Sequence, residues 1–333
     1  MQFKKLNKLT YKNIDVIKLC MAVLVVATHT SFFSFIKSPE VYNIVFTALS
    51  VKVPFFFAAS GFLVWNKLCD ASFNDRIDRL GGWMKKTLRL YLIWTLIYMP
   101  FTIYGFYLDG LGIGESILIF LRNFLLIGHN FYSFQLWYLL GTLVASIIVY
   151  GLVRSKWKLK TLYYIAFVLA IIGVLLDFCD QNNYLPEITS VYYRLFGSTR
   201  NGFFQGLPYV VIGISVANDG VINSKTALWT LLIISFIAHI LGCNLATFLM
   251  TYALLSLVTQ YDFKKEKDEL YKSFRLTSTI IYLVHMLWVG FFTFIVHISN
   301  DIVLFAIVLL ASFVSSFIAI KNKDTIIVRL LFR

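Results

Sequence analysis

The sequence predicts an all-α polytopic membrane protein with about ten transmembrane helices and both termini in the cytoplasm. Three observations predict it. Of the 333 residues, 59% are hydrophobic, above the roughly 45–50% of soluble chains. Only 14% are charged, against about 25% in soluble domains. The apolar residues also gather in long runs that fit a hydrocarbon core about 30 Å thick. Lipid offers the backbone no hydrogen bonds, so such runs are helices, and the alternating pattern of a barrel is absent.

The expected spans follow in order. The first, 14–36, comes after the basic stretch MQFKKLNKLTYKN. It is long and has no small-residue cleavage site, so it reads as a retained helix and not a signal peptide. The second, 43–67, carries Lys52 just before Pro54, and the third, 87–108, starts behind the cations of KKTLRLY. The stretch ESILIFLRNFLLIG at 115–128 is short for a crossing and carries Arg122, so a re-entrant or interfacial helix is expected there. The remaining spans are 135–153, 161–178, 203–218, 226–240, 242–260, 276–297 and 301–320.

Charge placement orients this set. The segments 1–13, 67–86, 154–160, 219–225, 261–275 and 321–333, with Arg89, hold 24 of the 30 Lys and Arg. Basic residues collect on the cytoplasmic side, so these segments face inward. The net charge of +13 is thereby explained by the bilayer as partner and not by nucleic acid, for which no basic, aromatic-interleaved module exists. No soluble domain or repeat is visible, and residues 1–333 read as one transmembrane domain. Cys20, Cys69, Cys179 and Cys243 show no metal or CxxC spacing, and no metal site is expected. A Walker loop is also absent.

His29 stands inside the first apolar run, in VLVVATHTSFFSF. An ionisable residue there is a candidate functional group. Lys18 lies eleven residues earlier, which is about 20° past three full helical turns. The two share a face and stand about 16 Å apart along the axis, with Asp15 near that face and the small Ala22 and Val25 between them. A cation near the cytosol and an imidazole deeper in suit a long ligand with an anionic head and a reactive end. Coenzyme A has that form. Lys86 and Arg89, three apart on the third span, share a face and can grip phosphates.

The set KNIDVIKLCMAVLVVATH, PFFFAASGFLVW, KKTLRLYLIW, QLWYLL, STRNGFFQGLPYVVIG and STIIYLVHMLW resembles the acyltransferase-3 family of bacterial integral-membrane O-acyltransferases. The likeness covers nearly the whole chain. The sequence is also similar to the membrane part of membrane-bound serine racemases, which belongs to the same broad family. The family's first-helix basic residue and histidine are matched here by Lys18 and His29, and its R-x-x-R element by Lys86 and Arg89. Arg is usual where Lys18 and Lys86 stand, and lysine keeps the charge without the bidentate fork.

The resemblance implies an enzyme of the bacterial cytoplasmic membrane. It would move an acyl group, with acetyl expected, from cytosolic acyl-CoA to a hydroxyl of an extracytoplasmic glycan or lipid-linked sugar. His29 would act as general base, and Lys18, Lys86 and Arg89 would hold the donor. Candidate substrate-binding residues are His285, expected as a hydrogen-bond donor to the acyl oxygen, Lys52, Arg194, Arg200 and Asn201. Ser60 and Gly61 suit close helix packing. His129, His239 and His297 fall near outer helix ends, and Trp137 and Tyr138 fit an outer aromatic belt. Two other functions fit the same residues: a transporter of a small polar substrate such as serine, and a non-catalytic subunit of a polysaccharide export system.

Overall fold

A computed structural model describes residues 3–4, 12–261 and 268–332. Most of the expected inner segment 1–13, and residues 262–267 of the loop before the ninth expected span, lie outside these. The helices are α1 (Lys12–His29), α2 (Pro39–Leu49), α3 (Lys52–Trp65), α4 (Phe73–Ile97), α5 (Met99–Leu108), α6 (Ile113–Arg122), α7 (Trp137–Arg154) and α8 (Leu159–Gln181). They continue with α9 (Pro186–Phe196), α10 (Leu207–Asp219), α11 (Lys225–Ile240), α12 (Ala246–Gln260), α13 (Asp268–Phe294), α14 (Asp301–Lys321) and α15 (Ile326–Phe332). Two short strands, β1 (Phe3–Lys4) and β2 (Val221–Ile222), pair antiparallel.

Every expected span coincides with helix, but the boundaries differ for physical reasons. The first ends at His29 and not at residue 36. Thr28 and Thr30 hydroxyls donate back to Val25 and Val26 carbonyls at 2.8 and 3.0 Å, which satisfies acceptors a helix end leaves open. Ser31 then turns the chain at φ 53° into a short 3-10 helix over Phe32–Phe35. The second span is two helices broken at Ser50 and Val51. The third begins at Phe73 and bends by 50° between α4 and α5.

Among the described residues, five helices are long and apolar enough to cross a membrane, or six if the bent α4–α5 pair is one span. Others fall short for visible reasons. Helix α1 carries Lys12, Asp15 and Lys18, and α11 and α12 have only 16 and 15 residues. The stretch near 115–128 forms α6 and a π turn at Asn123–Ile127, together about 22 Å long and short of a bilayer core.

The described chain divides into two units, one up to Ala59 together with Asp219 onward, the other Ser60–Asn218. In the first, α13 is buried from Ile280 through Met286, as expected of a helix apolar on all sides. Small polar residues seat α14: Ser312 and Ser316 are buried, and Trp288 Nε1 donates to Ser315 Oγ at 3.1 Å. One end of this unit gathers β1, β2, Asn13 on the Val258 and Tyr261 carbonyls, and Lys225 over the Tyr261 ring. The other end gathers Ser34 with Asp301 at 2.5 Å, Phe32 with Phe305, and Asn43 on the Ile240 carbonyl.

In the second unit glycines set the spacing. A Cβ on Gly61 would lie 2.1 Å from the Val210 carbonyl oxygen, and one on Gly206 2.7 Å from that of Gly141. Backbones that close require glycine. One end joins Trp65 to Asn218, Arg76 to the Trp65 ring and Lys156 to the Phe73 ring. The other holds α6, α9 and two π turns, Asn123–Ile127 and Gly202–Gly206.

Candidate functional site

Helices α1 and α13 build the site in the first unit. At their N-terminal ends Asp15 accepts a two-pronged pair from Arg275, Nε to Oδ1 at 2.9 Å and a terminal nitrogen to Oδ2 at 2.8 Å. Asp15 is 2% exposed, so the fork supplies the opposite charge and donors that a buried carboxylate requires. Lys12 lies over the Tyr271 ring. Further along both helices, the His29 and His285 rings stand 5.3 Å apart, tilted by 43°. Asp15 precedes His29 as Arg275 precedes His285, so α1 and α13 run parallel.

Lys18 and His29 meet the same wall of side chains, as helical spacing requires. Lys18 Nζ stands 5.9 Å from the Phe56 ring centre. Phe56 neighbours Tyr282 at 5.3 Å, and Tyr282 neighbours His285 at 6.2 Å. A line of rings therefore joins the cation to the histidine pair. The stretch between them is not an open groove, because Ala22 and Val25 are fully buried. His29 is half-buried at the helix end, and His285 is fully buried.

His285 has one feature that residue type and spacing do not reveal. Its Nδ1 lies 3.0 Å from the Ile281 carbonyl. A carbonyl only accepts, so Nδ1 carries the proton and the neutral ring offers Nε2 as an acceptor. The expected role as a donor to an acyl oxygen does not fit that tautomer. Nε2 is buried with no hydrogen-bond partner. Lys52 opens α3, and its amine donates to the Leu49 carbonyl at 3.2 Å, closing the end of α2.

The other candidates belong to the second unit. On α4, Lys86 is exposed and Arg89 half-buried, with Arg89 Nε buried and without a hydrogen-bond partner. Arg194 and Arg200 are exposed. Asn201 is buried, and its Oδ1 accepts from the Phe203 and Phe204 amides at 2.9 and 3.1 Å, opening the π turn before α10. Its Nδ2 donates to the Tyr192 hydroxyl at 2.7 Å.

Close by is a network built on Asp177, which accepts from Tyr193 at 2.5 Å and from Thr199 at 2.9 and 2.8 Å. Burial and the Asp177 charge hold the Tyr193 hydroxyl well above the usual phenol range. Burial, then the Arg200 charge, push His129 down to about 4. A cavity of about 30 Å³ lies between the two π turns, lined by Leu125, Trp137, Val144, Phe196, Asn201 and Phe203 among others.

A family model described as an acyltransferase domain matches residues 11–321. The chain belongs to the acyltransferase-3 family. With its several long apolar helices, this acyltransferase-3 chain is a multi-pass membrane protein. An amino-acid racemase of Enterococcus faecalis is 31% identical over 212 residues, 61% of this chain and 28% of its own length. A serine/alanine racemase of Enterococcus gallinarum is 29% identical over 231 residues, 66% of this chain and 31% of its own length. The acyltransferase-3 chain thus spans less than a third of the length of these curated relatives. No solved structure matches it.

Proposed function

We propose that this protein transfers an acyl group, acetyl in the first instance, from cytosolic acyl-CoA to a hydroxyl of an extracytoplasmic glycan or lipid-linked sugar. The membrane is the bacterial cytoplasmic membrane, crossed about ten times with both termini inside. The observation that carries the reading is the histidine pair at the far end of the helix that bears Lys18. His29 accepts the proton of the acceptor hydroxyl as its oxygen attacks the thioester carbonyl. The carbon–sulfur bond breaks, and the proton passes to the departing thiolate. A buried guanidinium nitrogen with no partner, Arg89 Nε, supports an anion at α4, since such a group is costly unless a ligand satisfies it.

Membranes carrying the full chain, supplied with acetyl-CoA, test this by release of the CoA thiol. His29→Gln is expected to lower turnover about 10²- to 10⁴-fold while acetyl-CoA still binds. Lys18→Ala with Arg89→Ala is expected to weaken binding. Full turnover in His29→Gln overturns the general-base role.

A second reading has its own support. The curated relatives are named for racemisation of amino acids, serine and alanine among them. A membrane part joined to such a protein suits import or export of a small polar substrate. Serine uptake into proteoliposomes, with no thiol release from acetyl-CoA, would place transport first.

A further inference from the structure

We infer that His285 is a positioning residue for His29: its Nε2 accepts the N–H of the His29 ring and so decides which His29 nitrogen faces the reacting groups. The inference rests on the acyl-transfer reading and deepens it. Three observations carry it. The two rings are 5.3 Å apart between centres and tilted by 43°. At that separation, with each ring nitrogen about 1.2 Å from its ring centre, a rotation of the half-buried His29 ring can bring two nitrogens to about 3 Å, within hydrogen-bond reach. Next, the Ile281 carbonyl takes the only proton of neutral His285, so the tautomer is fixed with its lone pair on Nε2. Finally, that Nε2 is buried and unpartnered, an arrangement proteins seldom leave without a purpose.

The chemistry follows from the charge His29 gains. When His29 takes the hydroxyl proton, both of its nitrogens become donors. One proton stays directed at the leaving sulfur. The other is offered an acceptor by the buried His285 Nε2 beside it. The bond strengthens when His29 is charged, because hydrogen bonds to ionised groups are stronger than neutral ones. Stabilisation that grows toward the transition state raises turnover without tightening substrate binding. The carboxylate on the same helix as His29, Asp15, is held by Arg275 about 21 Å along the axis, so it does not serve as the acceptor.

His285→Phe keeps the ring volume and removes the acceptor. His285→Gln keeps an acceptor oxygen on a side chain of similar reach. In thiol release from acetyl-CoA, His285→Phe is expected to lower kcat roughly 10- to 100-fold, the range seen when metal-bound histidines lose the group that orients them, with KM for acetyl-CoA unchanged. His285→Gln is expected to recover part of the loss. Equal losses in the two variants, a rise in KM alone, or wild-type turnover in His285→Phe would overturn the inference.

Nitrogen-15 spectra of the histidine-labelled full chain decide the same point without turnover. The expected result is His285 protonated at Nδ1, and His29 signals that change in His285→Phe but stay near wild type in His285→Gln. His285 protonated at Nε2, or His29 signals indifferent to both variants, would refute it. If the wild type releases no thiol yet the spectra are as expected, the acyl-transfer reading fails and the histidine coupling stands.

Discussion

His129 is a single side chain whose charge state the surroundings decide. It lies in the turn between the Asn123–Ile127 π segment and α7, with its ring 5.3 Å from that of Phe134. Burial, and then the nearby Arg200 charge, lower it from the ordinary 6.5 to about 4. The sign follows from proton counting. Between those values the unfolded chain binds a proton that the folded one refuses, so stability is full above about 6.5 and falls as pH drops toward 4. Thermal unfolding of the detergent-solubilised protein at pH 7, 5.5 and 4.5 should show this loss, and His129→Gln should flatten it. An identical acid-side decline in the variant would show that the group is not buried neutral. In the sequence this residue reads only as an interfacial histidine near a helix end, because the Arg200 charge that acts on it arrives through tertiary packing. The same limit hides the Asp177 network. Asp177 stands in sequence at the end of a span, and its partners Tyr193 and Thr199 belong to a helix and a turn whose placement no local pattern gives. Lys18 and His29 were legible because one helix carries both, and a helix fixes its own faces.

At the scale of elements, close backbone approach is the most exacting packing in the second unit. Gly61 of α3 sits so near α10 that a methyl group would lie 2.1 Å from the Val210 carbonyl oxygen. Helical backbone cannot yield there without opening the contact, and Ser60 beside it is bonded to the Tyr138 hydroxyl at 2.9 Å. Gly61→Ala should therefore lower the melting temperature and the yield of folded protein, and Gly61→Leu should abolish folding. Gly82 of α4, with nothing within 4 Å of an added methyl group, is the control, and Gly82→Ala should be neutral or stabilising because alanine is the better helix former. Equal melting temperatures for Gly61→Ala and wild type would mean that α3 and α10 do not touch in this way. Element positions were readable wherever a run was apolar, since burial in lipid or protein demands it. Breaks inside a run were not. Hydropathy passes unbroken through Ser50 and Val51, while the chain stops one helix there and starts another at Lys52. Helix α4 begins at Phe73, earlier than expected, because FNDRIDRLGG is polar enough to leave an apolar run yet still winds as helix behind the Ser72 cap. Helix α9 carries a proline in its first turn, and its short, mixed composition gives no apolar run to mark it.

The whole molecule raises the question of how many helices cross. Parallel α1 and α13 require an odd number of crossings between them, and the ten-span reading supplies seven. Within the first unit, segments expected inside meet at one end, and those expected outside meet at the other. The weak point is the α11–α12 hairpin. With 16 and 15 residues these helices rise about 24 and 22 Å, less than a core of about 30 Å. They can cross by thinning the bilayer locally, or dip in and return. The Asn43 side chain on the Ile240 carbonyl at 3.4 Å ties the hairpin tip to the start of α2, which the charge pattern assigns to the outer face. A full crossing is therefore expected, with local mismatch absorbed by the lipid. Single cysteines in a background lacking the four native ones decide it. With a membrane-impermeant maleimide on intact cells, Lys37→Cys and Asn244→Cys should label, and Lys225→Cys and Lys323→Cys only after permeabilisation. If Asn244→Cys is protected while Lys37→Cys labels, α11 and α12 form a re-entrant pair and the count falls to eight, with the parity between α1 and α13 preserved. If Lys37→Cys and Lys225→Cys label from the same side, the charge-based orientation itself is wrong, and a cytosolic donor can no longer be assigned to the end that bears Lys18.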